Sequence, residues 1–296
     1  MEKPANDKQY WDKPSSPFVE LMGDLPYDLV WYRGKRWYAG LSYGPEAAPV
    51  EENSLRICQS DQSGFLIETP TASLLFDWYR RILPPIRRDK PLHVFISHTH
   101  PDHFNQSLLN LAKRFPDVSI YLGYDYSDDT LNEALEKLPE ICADSLSCFR
   151  GGQHLDIAGG TVHALESTDL GVAFLVELDG LRFFHGGDLF PWRGAETDFL
   201  AYIAALKGVR IDYAMLPMDP RFPEAAGLSI SAYLSQAEIE CYTPMHLWNR
   251  PEYTEEFFAQ HPRLRAGMCC VLPGQPPQTF PLAGRKAQLR SAAYKA

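Results

Sequence analysis

The run VFISHTHPDHF, Val94–Phe104, ends an apolar stretch with His98, His100, Asp102 and His103 inside six residues. His98 and His100 are two apart at the end of what reads as a strand. Their side chains therefore leave one face and can pinch a single ion through imidazole nitrogens at about 2.0–2.1 Å. Asp102 and His103 follow on the turn with a carboxylate and a third imidazole. A lone histidine is more often a satisfied core or surface residue. Four donors in so short a run are hard to explain by packing, because burying them without an ion leaves polar groups in need of partners. The stretch reads as a metal site.

The flanks supply its setting. PLHVFIS (91–97) is a nearly continuous apolar strand, and NQSLLNLAKRF after the histidines has helical spacing, with Asn105 as N-cap and Pro116 as stop. Upstream, LRICQS, GFLIET and SLLFDWY are short β-prone runs that predict a meander of hairpins. Downstream, VSIYLG reads as strand and DTLNEALEKL as helix; TVHALES, GVAFLVEL and LRFFHGG read as three strands, with a turn at Asp179-Gly180. The helix DFLAYIAALKG precedes the strand IDYAMLPM, the helix SISAYLSQAEIE leads to a short strand ending at TPMHLW, and GMCCVLP is expected to close a sheet edge. Strands come first in hairpins and later interleaved with helices. That order predicts an α/β (α+β) fold of two mixed sheets packed together, helices outside.

Residues 1–54 read as an aromatic-rich N-terminal extension, 55–283 as the main domain and 284–296 as a basic tail. The extension holds Tyr10, Trp11, Tyr27, Trp31, Tyr32, Trp37, Tyr38 and Tyr43 without clear periodicity. Those rings either pack on the main domain or wall a pocket or subunit contact.

The 296 residues, 45% hydrophobic, can fill one large layered domain or two modest ones. A formal charge of −10 disfavours nucleic acid and anionic lipid as partners and leaves small-molecule substrates as the better fit. Self-association stays open. The start of the chain lacks the basic-then-apolar layout of a secretory signal, and GVAFLVELDGLRFF is broken by Glu177, Asp179 and Arg182, short of the ~20 apolar residues that span a bilayer. Six cysteines (58, 142, 148, 241, 269, 270) show no CxxC pair, which suits reduced thiols and a cytoplasmic chain; Cys58, Cys269 and Cys270 read as core fillers.

These motifs together resemble the metallo-β-lactamase superfamily, whose HxHxDH signature stands here as HTHPDH. SLLFDWY looks like its early strand ending in aspartate, FFHGGDLF like its glycine-aspartate motif and TPMHLW like its last strand ending in a histidine, in order from about Leu55 to Trp248. Runs such as ESTDLGVAFLVELDG and LPMDPR are similar to those of uncharacterised bacterial hydrolases of that superfamily. The resemblance implies an αββα sandwich with a metal site at one edge between the sheets. It implies that His98 and His100 bind a first ion, that Asp102, His103 and His246 bind a second, and that Asp188 bridges them. Asp77 resembles a residue that steadies the histidine loop by hydrogen bonds, and Asp219, in LPMDPR, is a further candidate beside the site.

One loop departs from the pattern. Where the superfamily carries another histidine, this chain reads Glu166-Ser167-Thr168-Asp169-Leu170-Gly171, with Ser167 at that place. A neutral serine is a poor zinc ligand. Either Asp169 reaches in, or a water completes the shell, or a single ion is held. His163 lies some ~13 Å back along a strand, and His185 reads as a core or supporting histidine bonded to backbone; His93, His154 and His261 read as surface or structural.

An ion held by this set lowers the pKa of bound water and polarises a carbonyl or phosphoryl oxygen, and Asp102 can orient the water and take its proton. Hydrolysis of an ester, lactone or phosphoester follows. Zn2+, one ion or two, leads for His and Asp donors, with Mn2+, Fe2+ and Ni2+ as alternatives. Arg80, Arg81, Arg87, Arg88 and Lys90 could grip a phosphate or carboxylate, although such a run is more often a solvated loop. Two other classes stand beside this reading. One is a metal-binding scaffold with an incomplete first site. The other is a nuclease-type phosphodiesterase, which the acidic charge disfavours. Di-iron redox relatives typically put glutamate where His100 stands.

Overall fold

The computed structural model describes residues 29–32, 35–38, 42–43, 47–51, 54–60, 62–80, 82–124, 129–136, 138–269 and 277–281. Tyr10, Trp11, Tyr27, Arg81, Cys270 and the basic tail 284–296 lie outside them. The chain divides into two units, 1–40 and 41–296. In the first, β1 (Leu29–Tyr32) and β2 (Lys35–Tyr38) form an antiparallel hairpin.

The second unit runs β3 (Ser42–Tyr43), β4 (Ser54–Gln59), β5 (Phe65–Glu68), β6 (Ser73–Phe76), β7 (Ile82–Leu83), β8 (Leu92–Ile96), β9 (Val118–Gly123) and β10 (Leu146–Phe149). It continues with β11 (His154–Ile157), β12 (Gly160–Glu166), β13 (Val172–Leu178), β14 (Leu181–His185), β15 (Arg210–Ile211), β16 (Tyr213–Pro217), β17 (Glu238–Ile239), β18 (Tyr242–Met245) and β19 (Gln278–Pro281). The helices are α1 (Asp129–Glu136), α2 (Glu140–Ala143), α3 (Glu196–Ile203), α4 (Pro223–Gln236) and α5 (Tyr253–Gln260), with a 3-10 helix over Gln106–Lys113. A seven-stranded sheet has the order β10-β9-β8-β6-β5-β4-β19, and a six-stranded sheet the order β11-β12-β13-β14-β16-β18.

β8 is buried along its whole length, as a strand between two layers requires, and its side chains alternate between the two faces. Leu92, Val94 and Ile96 join an outer apolar cluster with Leu108, Leu109 and Leu111 of the 3-10 helix, while Phe95 faces inward and meets Phe174 of β13 edge-on at 5.4 Å. On the far side of the six-stranded sheet, Phe184 and Leu216 pack against Phe199, Ile230 and Phe257 of α3, α4 and α5. The second unit is thus an αββα sandwich of two mixed sheets with helices on the outer faces, as the resemblance implies.

The expected hairpin meander is present as antiparallel β4-β5-β6. Asp179 (φ 53°) and Gly180 (φ 74°) turn β13 into β14 with both residues left-handed, the conformation a tight Asp-Gly hairpin favours. Asn105 caps as expected, its Oδ1 accepting from Ser107 N at 3.0 Å. Helix α4 starts earlier than SISAYL predicts, because Pro223 suits the first helical position. GMCCVLP does not form an edge strand among its described residues: Met268 makes one bridge to Tyr242, and β19 closes the other sheet against β4. The expectation of six reduced thiols is corrected at Cys241 and Cys269, which form a disulfide with Cα atoms 6.0 Å apart. The segment ending at Cys269 runs beside β18, its N–H donating to Tyr242 O at 2.7 Å, and this brings the two sulfurs together. No helix among the described residues is long and apolar enough to cross a membrane.

Strand direction decides where the chemistry collects. β6 and β8 are parallel, so Asp77 and Ser97 leave the sheet at the same end; β14, β16 and β18 are parallel, so Asp188, Asp219 and His246 do likewise in the other sheet. β12 is antiparallel to β13, which runs antiparallel to β14, so the loop 167–171 opens at that same end. Val172 N donates to Ser97 O at 2.9 Å and ties the two edges together.

Candidate metal centre

Two sets of donors converge at this edge: His98, His100, Asp169 and Asp188, and beside them Asp102, His103 and His246. In the first, His98 Nε2 and His100 Nδ1 are 3.0 Å apart, His100 Nδ1 is 3.6 Å from Asp169 Oδ2, and His98 Nε2 is 3.7 Å from Asp188 Oδ2. In the second, Asp102 Oδ2 lies 3.5 Å from His103 Nε2 and 3.4 Å from His246 Nε2. Asp188 Oδ1 closes that set at 3.1 and 3.3 Å from the same two nitrogens, so its two oxygens look toward different sets.

Close backbone packing makes the approach. Gly171 (φ 70°) sits so tightly that a Cβ would fall 1.9 Å from Ser97 O and 2.7 Å from His98 Cβ, and a Cβ on Gly187 (φ 51°) would fall 2.8 Å from Ser97 Cβ. Only glycine adopts that conformation at that distance without strain. His246 itself is left-handed (φ 64°), and so are Asp77 (φ 39°) and Trp248 (φ 50°). Side chains other than glycine are seldom held this way outside sites that need it.

Behind the donors stands a layer of hydrogen bonds. Asp77 Oδ1 accepts from Ser97 N at 2.7 Å; its Oδ2 accepts from Ser97 Oγ at 2.6 Å and from His103 Nδ1 at 2.7 Å. Ser97 Oγ in turn accepts from His98 Nδ1 at 3.0 Å. His246 Nδ1 donates to Asp219 Oδ2 at 3.0 Å, and Arg221 and the Trp248 indole N–H hold the same carboxylate. Each of these imidazoles has Nδ1 committed, which leaves Nε2 turned inward. Gln62, which the sequence did not mark, reaches Asp102 Oδ2 through Nε2 at 3.4 Å and accepts from Trp248 N through Oε1 at 2.8 Å.

The arrangement fits an ion. His103 Nε2, Asp188 Oδ1 and His246 Nε2 are buried without hydrogen-bond partners, an arrangement rare in folded proteins unless something else occupies the space between them. An ion bonded tetrahedrally at about 2.0–2.1 Å spaces its donors by roughly 3.3 Å, and the donor separations here run from 3.0 to 3.7 Å. Burial, reinforced by His103, pushes His98 down to about 3, so it is neutral and ready to coordinate. Burial opposes charge on His246 as well, but Asp188, Asp102 and Asp219 outweigh it and hold the ring up to about 10. His103 is raised by Asp188 and Asp102 in the same way.

These shifts set a proton balance. In the metal-free chain the His246 pairing stabilises the fold in full below about pH 6.5 and is lost as pH rises through about 10. A metal needs the neutral ring, so zinc uptake at pH 7 should release about two protons, from His103 and His246. Calorimetry in two buffers of different ionisation heat reads that number directly; a binding heat independent of buffer would remove the argument.

Of the other candidates, His185 stays out of both sets: its Nε2 donates to Ser63 O at 2.8 Å and its Nδ1 accepts from Gly187 N at 3.2 Å. Ser167 takes the Asp169 N–H on its Oγ at 3.4 Å, a turn contact, while Asp169 supplies the carboxylate. His163 faces His154 across β11 and β12, and His93 is buried against Tyr121. The basic run is engaged elsewhere: Arg87 pairs with Asp89, Lys90 with buried Glu68, and Arg88 lies over Phe115.

No family model matches the chain, and no curated protein matches it. Among solved structures, it resembles a novel metallo hydrolase from the hyperthermophilic archaeon Ignicoccus hospitalis at TM-score 0.52 and 17% identity, over 77% of this chain and 98% of that one. It also resembles a diiron β-hydroxylase from Streptomyces venezuelae at TM-score 0.55 and 12% identity, over 79% of this chain and 55% of that one. A metallo-β-lactamase fold protein from Bacillus subtilis aligns at TM-score 0.48 and 15% identity, over 77% of this chain and all of that one. At identities this low the first two likenesses show a shared fold and nothing finer.

Proposed function

We propose that the chain is a metal-dependent hydrolase of the metallo-β-lactamase superfamily, acting on an ester, lactone or phosphoester of a small molecule with zinc as its ion. The observation that carries this is Asp188, set between two converging donor sets, with its own Oδ1 and the facing His103 and His246 Nε2 atoms buried without hydrogen-bond partners. His98, His100, Asp169 and Asp188 would hold one ion and Asp102, His103, His246 and Asp188 the other. When bound, the ions supply Lewis acidity and lower the pKa of water toward about 7. Asp102 would accept the attacking water's proton, with Gln62 Nε2 steadying its carboxylate from 3.4 Å. Asp77 and Asp219 hold the imidazoles in the tautomer that coordinates.

Asp169 at the place left open by Ser167 weighs against a scaffold with an incomplete first site, and the net charge of −10 weighs against a nucleic-acid substrate. Metal analysis of the purified protein, followed by turnover of phosphodiester, lactone and thioester panels before and after chelation, tests the reading. Chelator-sensitive turnover of an ester or lactone is expected; retained metal with no turnover of any panel member would favour the scaffold.

A further inference from the structure

We propose that Trp192, Phe222 and Trp248, bracketed by Arg221, form the wall that recognises the substrate, and that it takes an aryl ring joined to the scissile ester or lactone. This rests on the hydrolase reading. Both indoles adjoin His246, with Trp248 at 5.5 Å and Trp192 at 6.0 Å between ring centres. Their polar ends are already consumed by site residues: Trp192 Nε1 donates to Asp188 O at 3.0 Å and Trp248 Nε1 to Asp219 Oδ2 at 3.0 Å. What they offer a ligand is therefore apolar ring surface.

Outward from Trp192 stands Phe222, edge-on at 5.7 Å and 39% exposed. Arg221 has Nε and Nη2 on Asp219, and its Cζ lies 3.9 Å from the Trp248 ring centre and 5.6 Å from that of Phe222. With its charge matched by Asp219, the guanidinium acts as a cation–π bracket that fixes the two rings. Trp248 and the next residue, Asn249 (φ 56°), are both left-handed, a conformation a bulky side chain adopts only when the surroundings enforce it. An indole held against His246 by a strained turn, joined through Arg221 to an exposed phenyl ring that packs on the second indole, is surface that a flat apolar group would cover with gain.

Calorimetric binding of phenylacetate and acetate to the zinc-treated protein tests the wall without requiring turnover. Phenylacetate should bind about tenfold tighter than acetate. Phe222→Ala should remove most of that preference and Phe222→Leu part of it. Equal affinity for the two anions in the unaltered protein, or a preference that survives undiminished in both variants, overturns the proposal. A phenyl preference that Phe222→Ala abolishes, found in a protein that turns over no ester or lactone, supports the wall and sinks only the hydrolase reading.

Discussion

Asp188→Asn should strip the protein of metal and abolish hydrolysis while leaving it folded. The side chain keeps its shape but loses the charge that faces three imidazoles, His98 through Oδ2 and His103 and His246 through Oδ1. It also turns one oxygen into an N–H donor, which points a proton at nitrogens that must themselves donate electron pairs. Removing a residue that only orients a ligand typically costs about 10–100-fold in metal affinity or activity. A carboxylate shared between both donor sets should cost at least the upper end of that range. The fold should persist because the hydrogen bonds at this position are made by the main chain: Asp188 O accepts from Thr168 Oγ1 and the Trp192 indole, and neither bond uses the carboxylate. Elemental analysis, thermal melting and turnover on the same preparation separate the effects. A well-folded Asn variant with full metal content would show that Asp188 is a turn residue and nothing more.

The parts of this site that could be read beforehand are the local ones. HTHPDH declares itself because a strand end and a turn fix the directions of His98 and His100 within a few residues, and Asp188 follows two glycines at another strand end. The Asp179-Gly180 hairpin is local in the same sense, since both residues tolerate positive φ. Gln62 was illegible for the opposite reason. Its partners Asp102 and Trp248 lie 40 and 186 residues away; strand order in the seven-stranded sheet brings the first near, and packing of the other sheet brings the second. Ser97 is the same case: inside an apolar strand it reads as filler, yet its hydroxyl links His98 to Asp77. The cysteine pairing also depends on a segment folding back beside β18, which no spacing announces.

The loop 166–171 is where sequence order alone pointed at two residues and geometry separates them, so it yields the sharpest contrast. Asp169→Ala should lower bound zinc by about one ion per chain, whereas Ser167→Ala should leave the stoichiometry unchanged. Asp169 Oδ2 lies 3.6 Å from His100 Nδ1 and joins the set with His98 and Asp188, but the Ser167 hydroxyl is occupied by the Asp169 N–H. The electrostatics agree. Partial burial first, and then the charge of Asp188, push the Asp169 carboxyl above its ordinary range, and His100, the Leu170 N–H and His103 offset this only in part. A bound cation relieves that repulsion, so removing Asp169 removes a donor that the ion itself would ionise. The left-handed Gly171, pressed against Ser97 O and His98 Cβ, fixes the end of the loop beside the histidines, and two residues before it Asp169 lies within reach of His100. Both variants alter loop side chains and no core packing, so melting temperatures should stay close to the parent's, and metal content can be compared on equal terms. If Ser167→Ala loses the ion while Asp169→Ala keeps it, the loop is turned the other way and the first site is built on the hydroxyl.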